Sequence, residues 1–229
     1  MMEKLAERLG IQFNNLEILQ QAVTHRSYLN EHRDYKLDHN ERLEFLGDAV
    51  LELVVTEFLY ANYPNPEGEL TNWRASLVNG EMLAKISGKI GVEEFLLMSR
   101  GEAKDTGKAR QYLLANAFEA ITGAIYLDQK EKGYDVAKDF ILKNVVVELP
   151  EIISSKSYMD PKSSFQEQAQ EKVGITPSYR VLEETGPDHA RKFVVGVYLD
   201  QELVAKGEGL SKQEAQRNAA VAGLEAKGW

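Results

Sequence analysis

Apolar residues recur at helical spacing through the first two-thirds of the chain. Leu5, Leu9 and Ile11 precede Asn14-Asn15, a plausible cap pair, and Leu16, Leu19, Ala22 and Val23 then follow the three-to-four residue period of an amphipathic helix. A polar stretch from Leu29 to His39 carries no element signal. A long periodic segment runs from about residue 41 to residue 60, and Pro64, Pro66 and Gly68 stop it. Further helices are predicted over 69–78, 81–90, 109–127 and 134–146, with no convincing strand before residue 150. Pro150, Ser154, Ser155 and Ser157 mark residues 149–159 as a linker. Beyond it the period changes: a short helix at 161–173, β-forming runs at 178–184, 191–199 and 202–207, and a last alanine-rich helix at 212–226 capped by Ser211. The expected architecture is mainly α: an all-helical domain over 1–148, a linker over 149–159, and a small α-β-β-β-α domain over 160–229.

The 229 residues suffice for two such domains, and 43% hydrophobic with 28% charged residues is ordinary for a folded chain. There are no cysteines, which excludes disulfides, thiolate metal sites and a cysteine nucleophile, and fits a cytoplasmic location. The first residues, MMEKLAERLG, lack the apolar run of a signal peptide, and no window suggests a membrane span, so no membrane partner is expected. The net charge is −9, with −7 in residues 1–156 (18 Lys+Arg, 25 Asp+Glu) and −2 in 157–229 (9 and 11). Composition alone therefore argues against a polyanionic partner, and any phosphate-binding surface has to be local.

The sharpest signal is NERLEFLGDAV at residues 40–50. On a helix Glu41, Glu44 and Asp48 share one face, beside an apolar stripe of Leu43, Leu46 and Val50. Two carboxylates about 5 Å apart repel by roughly 3 kcal/mol at an effective dielectric near 20, so such a face needs water, an arginine, a raised pKa or a cation. Spacing alone fits either a solvated acidic face or a metal site. A second segment, ANAFEAI at 115–121, places Asn116 and Glu119 three apart among apolar residues, where a glutamate is rarely buried unpaired. If the two helices face each other, Glu44, Asp48, Asn116 and Glu119 form an oxygen-rich set suited to Mg²⁺.

These segments resemble the ribonuclease III family, and further matches surround them: THRSY at 24–28, EGEL at 67–70, RASLV at 74–78 and the stretch from Gly101 to Leu127. The resemblance covers almost the whole chain in the family's order. It implies a double-stranded RNA endonuclease whose metal ligands fall on Glu44, Asp48, Asn116 and Glu119, with Mg²⁺ as cofactor and Mn²⁺ able to substitute. Glu41 and Glu67 match two further acidic positions, either supporting the site or plain surface charge. His25 and Arg26 read as structural. Phe45 matches a position of homodimer contact, with simple core packing as the other reading. Implied too are 5′-phosphate and 3′-hydroxyl products with short 3′ overhangs, ribosomal RNA precursors among the substrates, and no nucleotide cofactor. Asn116 departs from the family's aspartate at this position, which leaves a second reading open: a double-stranded RNA-binding protein with weakened or absent cleavage.

Residues 160–229 resemble a double-stranded RNA-binding domain. The carried-over contacts are Ser164, Gln166 and Glu167 on its first helix, Pro187 and His189 in the loop GPDH, and Ser211, Lys212 and Gln213 opening its last helix. The family usually has a lysine where this chain has Gln213, so one phosphate contact is expected to be missing.

Overall fold

The computed structural model describes residues 1–104, 106–155, 158, 160–187 and 191–229. They divide into two compact units, Met1–Tyr158 and Met159–Trp229. The first is helical: α1 (Met2–Leu9), α2 (Leu16–Ala22), α3 (Arg26–Glu31), α4 (Glu41–Asn62), α5 (Glu67–Val78), α6 (Gly80–Ile90), α7 (Lys108–Asp128), α8 (Gly133–Asn144) and α9 (Leu149–Ser155), with short 3-10 turns between some of them.

Helix α7 forms the axis of this unit. Leu114, Ala115, Ala117, Phe118, Ala120, Ile121, Ala124 and Ile125 are all buried, an apolar surround too wide for a helix at the surface. Fully burying a side chain of the size of Ile or Phe contributes roughly 1.5–3 kcal/mol. Phe118 stacks on Phe140 of α8 with centroids 5.5 Å apart, and α4 packs along α7 through Leu43, Val50, Val54 and other apolar residues. At their crossing the backbones touch: a Cβ on Gly47 would lie 1.7 Å from the carbonyl oxygen of Glu119, and one on Gly123 would lie 2.3 Å from that of Leu43. Glycine at both positions is what permits the approach.

The end of α7 also fixes the start of α2. Buried Asp128 accepts the backbone N–H groups of Asn14 and Asn15, each at 2.8 Å, while the Asn15 side chain caps α2 by accepting from Glu17 N.

Two stretches differ from expectation. The segment beginning with Arg26 winds into α3, because His25 caps it and Tyr28 stacks on His32 at 3.8 Å. The expected linker largely packs onto the helical unit: residues 149–155 form α9, with Leu149 and Ile152 buried in the core. Pro150 lies in its first turn, where a missing N–H costs nothing, so it opens a helix here and does not mark a linker.

The second unit has the expected α-β-β-β-α order: α10 (Pro161–Val173), β1 (Ser178–Thr185), β2 (Lys192–Leu199), β3 (Glu202–Gly209) and α11 (Lys212–Lys227). The sheet is antiparallel in the order β1-β2-β3, with a bulge between Val181 and Glu183. Its core joins Phe165 and Ala169 of α10, Phe193, Val195, Val197 and Leu199 of β2, and Ala215, Ala219 and Ala220 of α11. Gly207 lies inside β3, where a Cβ would come within 2.0 Å of Ala219 N.

Candidate metal centre and nucleic-acid interface

The crossing at Gly47 and Gly123 decides where the acidic groups stand. Glu44 lies one turn before Gly47 on α4, and Glu119 one turn before Gly123 on α7, so close backbones make close carboxylates. Burial pushes the Glu119 carboxyl up to about 7, and the charges of Asp48 and Glu44 add to the rise. Glu44 is also raised, first by burial and then by Glu41, while the Asn116 carboxamide, donating toward it, pulls the other way; Asp48 again raises it. The structure thus brings together Glu44, Asp48, Asn116 and Glu119 from two helices distant in sequence. Asp48 and Glu41 are exposed; Glu44, Asn116 and Glu119 are partly buried.

These groups act on one another through space. Among the described residues no group of three or more His, Cys, Asp or Glu side chains stands where it could hold a metal ion by itself. Yet Glu44 Oε2 is buried without a hydrogen-bond partner. An unpartnered buried carboxylate oxygen beside a second, costly carboxylate is a donor set short of positive charge. A hard divalent cation fits that deficit, and the oxygen-only ligands suit Mg²⁺ better than a softer metal.

Glu41 stands at the rim, 3.5 Å from Arg26 Nη1 and 3.8 Å from His39 Nδ1. Glu67 does not join the group: it heads α5, accepts from Thr71 at 2.8 Å, and is not among the charges acting on Glu44 or Glu119. His25 caps α3 through Nδ1, accepting from Ser27 N at 3.3 Å, and burial lowers its pKa, which favours the neutral ring an acceptor requires. Phe45 is 83% exposed, which removes the core-packing reading for it.

In the second unit Asp160 caps α10 by accepting from Ser163 N, leaving Gln166 and Glu167 exposed and Ser164 partly so. Pro187 is exposed, and His189 lies outside the described residues. The start of α11 is a reciprocal cap: Ser211 Oγ accepts from Glu214 N at 3.1 Å, and Glu214 Oε2 accepts from Leu210 N at 2.7 Å. Ser211, Lys212 and Gln213 are exposed there. Lys162 of α10 donates to Gln216 of α11 at 2.8 Å and tethers the two helices. Restoring a cation beside Lys212 with Gln213→Lys should steepen the fall of duplex affinity with salt, by about 0.9 in log-log slope for one added phosphate contact. A binding titration across salt checks this; an unchanged slope would remove position 213 from the interface.

A family model described as Ribonuclease-III-like matches residues 15–149, and one for the double-stranded RNA binding motif matches residues 161–227. Ribonuclease 3 of Enterococcus faecalis is 44% identical over 222 residues, covering 96% of this chain and 95% of that protein. Ribonuclease 3 of Natranaerobius thermophilus is 44% identical over 218 residues, covering 95% and 92%. Among solved structures, the nuclease domain of ribonuclease III from Campylobacter jejuni, in work on flexibility in a region involved in dimer formation, is similar with a TM-score of 0.58. It is 40% identical and covers 66% of this chain and 99% of that one.

Proposed function

Because the chain belongs to the ribonuclease III family, an endoribonuclease unit joined to a double-stranded RNA-binding unit, we propose that it cuts RNA duplexes at a Mg²⁺ site formed by Glu44, Asp48, Asn116 and Glu119. The products of this reading carry 5′-phosphate and 3′-hydroxyl ends with short 3′ overhangs, and Mn²⁺ substitutes for Mg²⁺. The observation that carries it is the charge deficit at the α4–α7 crossing: Glu44 Oε2 is buried and unpartnered, and Glu119 is pushed up to about 7 by burial and its acidic neighbours.

Glu44, Asp48, Asn116 and Glu119 would hold the ion, which would supply positive charge to lower the pKa of a water and to offset charge on the leaving oxygen of a phosphodiester. The chain's own residues bind and orient. Glu44 presents its carboxylate from α4 and Glu119 from α7, and Asp48 adds charge from an exposed position. Asn116 has both a carboxamide N–H that donates toward Glu44 and a carbonyl oxygen able to act as a neutral ligand. The second unit holds the duplex through Ser164, Gln166 and Glu167 of α10, Pro187 and His189 of the sequence GPDH, and Ser211, Lys212 and Gln213 at the start of α11, contacts that suit the minor grooves and intervening phosphates of A-form RNA. Phe45, exposed on α4, meets a second copy of the chain, and each protomer of the homodimer cuts one strand. The residue boundaries of this reading are a nuclease domain up to residue 148 and its α9 extension, and an RNA-binding domain over 160–229. Its substrates are ribosomal precursors and other structured transcripts in the cytoplasm.

Asn116 favours one alternative, a duplex-binding protein with weakened cleavage. Incubating a long RNA duplex over a series of Mg²⁺ concentrations, with the native chain and with Asn116→Asp, separates the two. Aspartate removes the donor toward Glu44 and adds a fourth charge, so Asn116→Asp should lower the Mg²⁺ needed for half-maximal cutting. A metal requirement that does not move takes position 116 out of the site. Tight duplex binding by the native chain without cutting at any metal concentration selects the alternative.

A further inference from the structure

Two partly exposed cations of the second unit, Arg191 and Lys212, share one carboxylate. Glu184, next to the last residue of β1, lies directly opposite Phe193 of β2, and Phe193 faces the helices as part of the core. On that face Glu184 Oε1 accepts a short hydrogen bond from Arg191 Nη1, and its other oxygen, Oε2, stands 3.8 Å from Lys212 Nζ. Lys212 also lies over the Phe193 ring, 5.5 Å from its centroid. All three charged side chains remain between 36% and 59% exposed.

We propose that Glu184 is an internal stand-in for an RNA phosphate: it occupies Lys212 and Arg191 in the free protein, yields them when a duplex docks, and thereby sets the affinity and salt dependence of binding. The inference rests on the reading that the start of α11 meets the RNA backbone. Its chemistry is that of a weak, replaceable partner. Exposed ion pairs contribute little, and at 3.8 Å the Lys212 contact is beyond hydrogen-bond length. A phosphate offers more acceptor oxygens, and a guanidinium matches a phosphate as well as it matches a carboxylate. Holding the cations in place also suppresses attraction to any polyanion that cannot reach the rest of the unit, since long-range charge alone gives no discrimination.

The test measures affinity of the full chain for an RNA duplex longer than the roughly 16 base pairs one such domain spans, in EDTA to prevent cutting, across a series of salt concentrations. Glu184→Gln, nearly isosteric, should tighten binding about two- to fivefold near 0.15 M salt and steepen the log-log salt slope by about 0.9. Glu183→Gln makes the same change in net charge on the neighbouring residue, which points to the other face of the strand, and should leave both quantities near their native values. In a Lys212→Gln background the Glu184→Gln gain should shrink by Lys212's share, leaving the part that comes from releasing Arg191. Native-like binding by Glu184→Gln overturns the proposal, as does an equal gain from Glu183→Gln, which would reduce the effect to net charge. Lys212→Gln alone tells the two failures apart. If it weakens binding while Glu184→Gln does nothing, only the stand-in role falls. If it changes nothing, the reading of α11 as a phosphate contact falls, and the stand-in role with it.

Discussion

Replacing Gly47 with alanine is expected to destabilise the helical unit by about 3 kcal/mol or more and to abolish duplex cutting. The added methyl would sit 1.7 Å from the Glu119 carbonyl oxygen and 2.8 Å from Gly123 N, both backbone atoms that no rotamer change can move aside. Overpacking a well-packed core usually costs about 1–3 kcal/mol, and a clash with a helix backbone lies at or beyond the top of that range. Relief requires α4 and α7 to move apart, which draws Glu44 away from Glu119 and spoils the group even in molecules that remain folded. Gly88→Ala is the fitting control. Gly88 sits in α6 with nothing within 4 Å of an added Cβ, so alanine there should be neutral or stabilising by about 0.5–1 kcal/mol through helix propensity. Denaturant unfolding of both variants decides the matter, and a Gly47→Ala protein as stable as Gly88→Ala would contradict the crossing described above.

Glu119→Gln should move stability and activity in opposite directions. A carboxyl raised to about 7 in the fold, against an ordinary value of 4.5, is happier protonated when folded. The stability cost it imposes is therefore absent below about 4.5, grows as pH rises through that interval, and is complete above about 7. One pKa unit corresponds to about 1.4 kcal/mol, and discounting for the partial exposure of Glu119 leaves a cost of about 2 kcal/mol at pH 8. Glutamine removes that cost. In EDTA the variant should melt about 4–8 °C above the native chain at pH 8 and within a degree or two of it near pH 4.5. Cutting should fall by about a hundredfold or more, the usual scale for losing one electrostatic group at a reacting phosphoryl. Melting curves at the two pH values and an endpoint cleavage assay check both halves. Equal melting temperatures at pH 8 would mean that Glu119 is not strained by its neighbours.

The sequence made the two long helices legible because their apolar residues repeat without interruption, and Glu119 stood out because it is a charged residue among Ala, Phe and Ile. Glu44, Asp48, Asn116 and Glu119 fall together in the fold for the same reason: side chains on one helix face have only one way to point. Other features were not legible, each for a physical cause. The helix α3 depends on tertiary support, with His25 N bonded to Leu97 O and Ser27 Oγ accepting from Ser99 N, and no local periodicity announces such partners. The contact of Gly47 with Glu119 depends on which residues face each other across two helices, information that neither segment contains alone. The association of Glu184 with Lys212 likewise appears only once β1 and α11 are packed. The polar composition of the stretch around residues 154–157 concealed the buried Leu149 and Ile152 just before it.

That last pair has a practical consequence for taking the protein apart. Leu149 and Ile152, 1% and 3% exposed, are roof tiles of the helical unit although they follow the last long helix. A fragment ending at residue 148 would open their seats to water and forfeit a few kcal/mol of burial, whereas one ending after residue 155 keeps the roof closed. Proteases seeking a seam between the halves should leave α9 with the nuclease half.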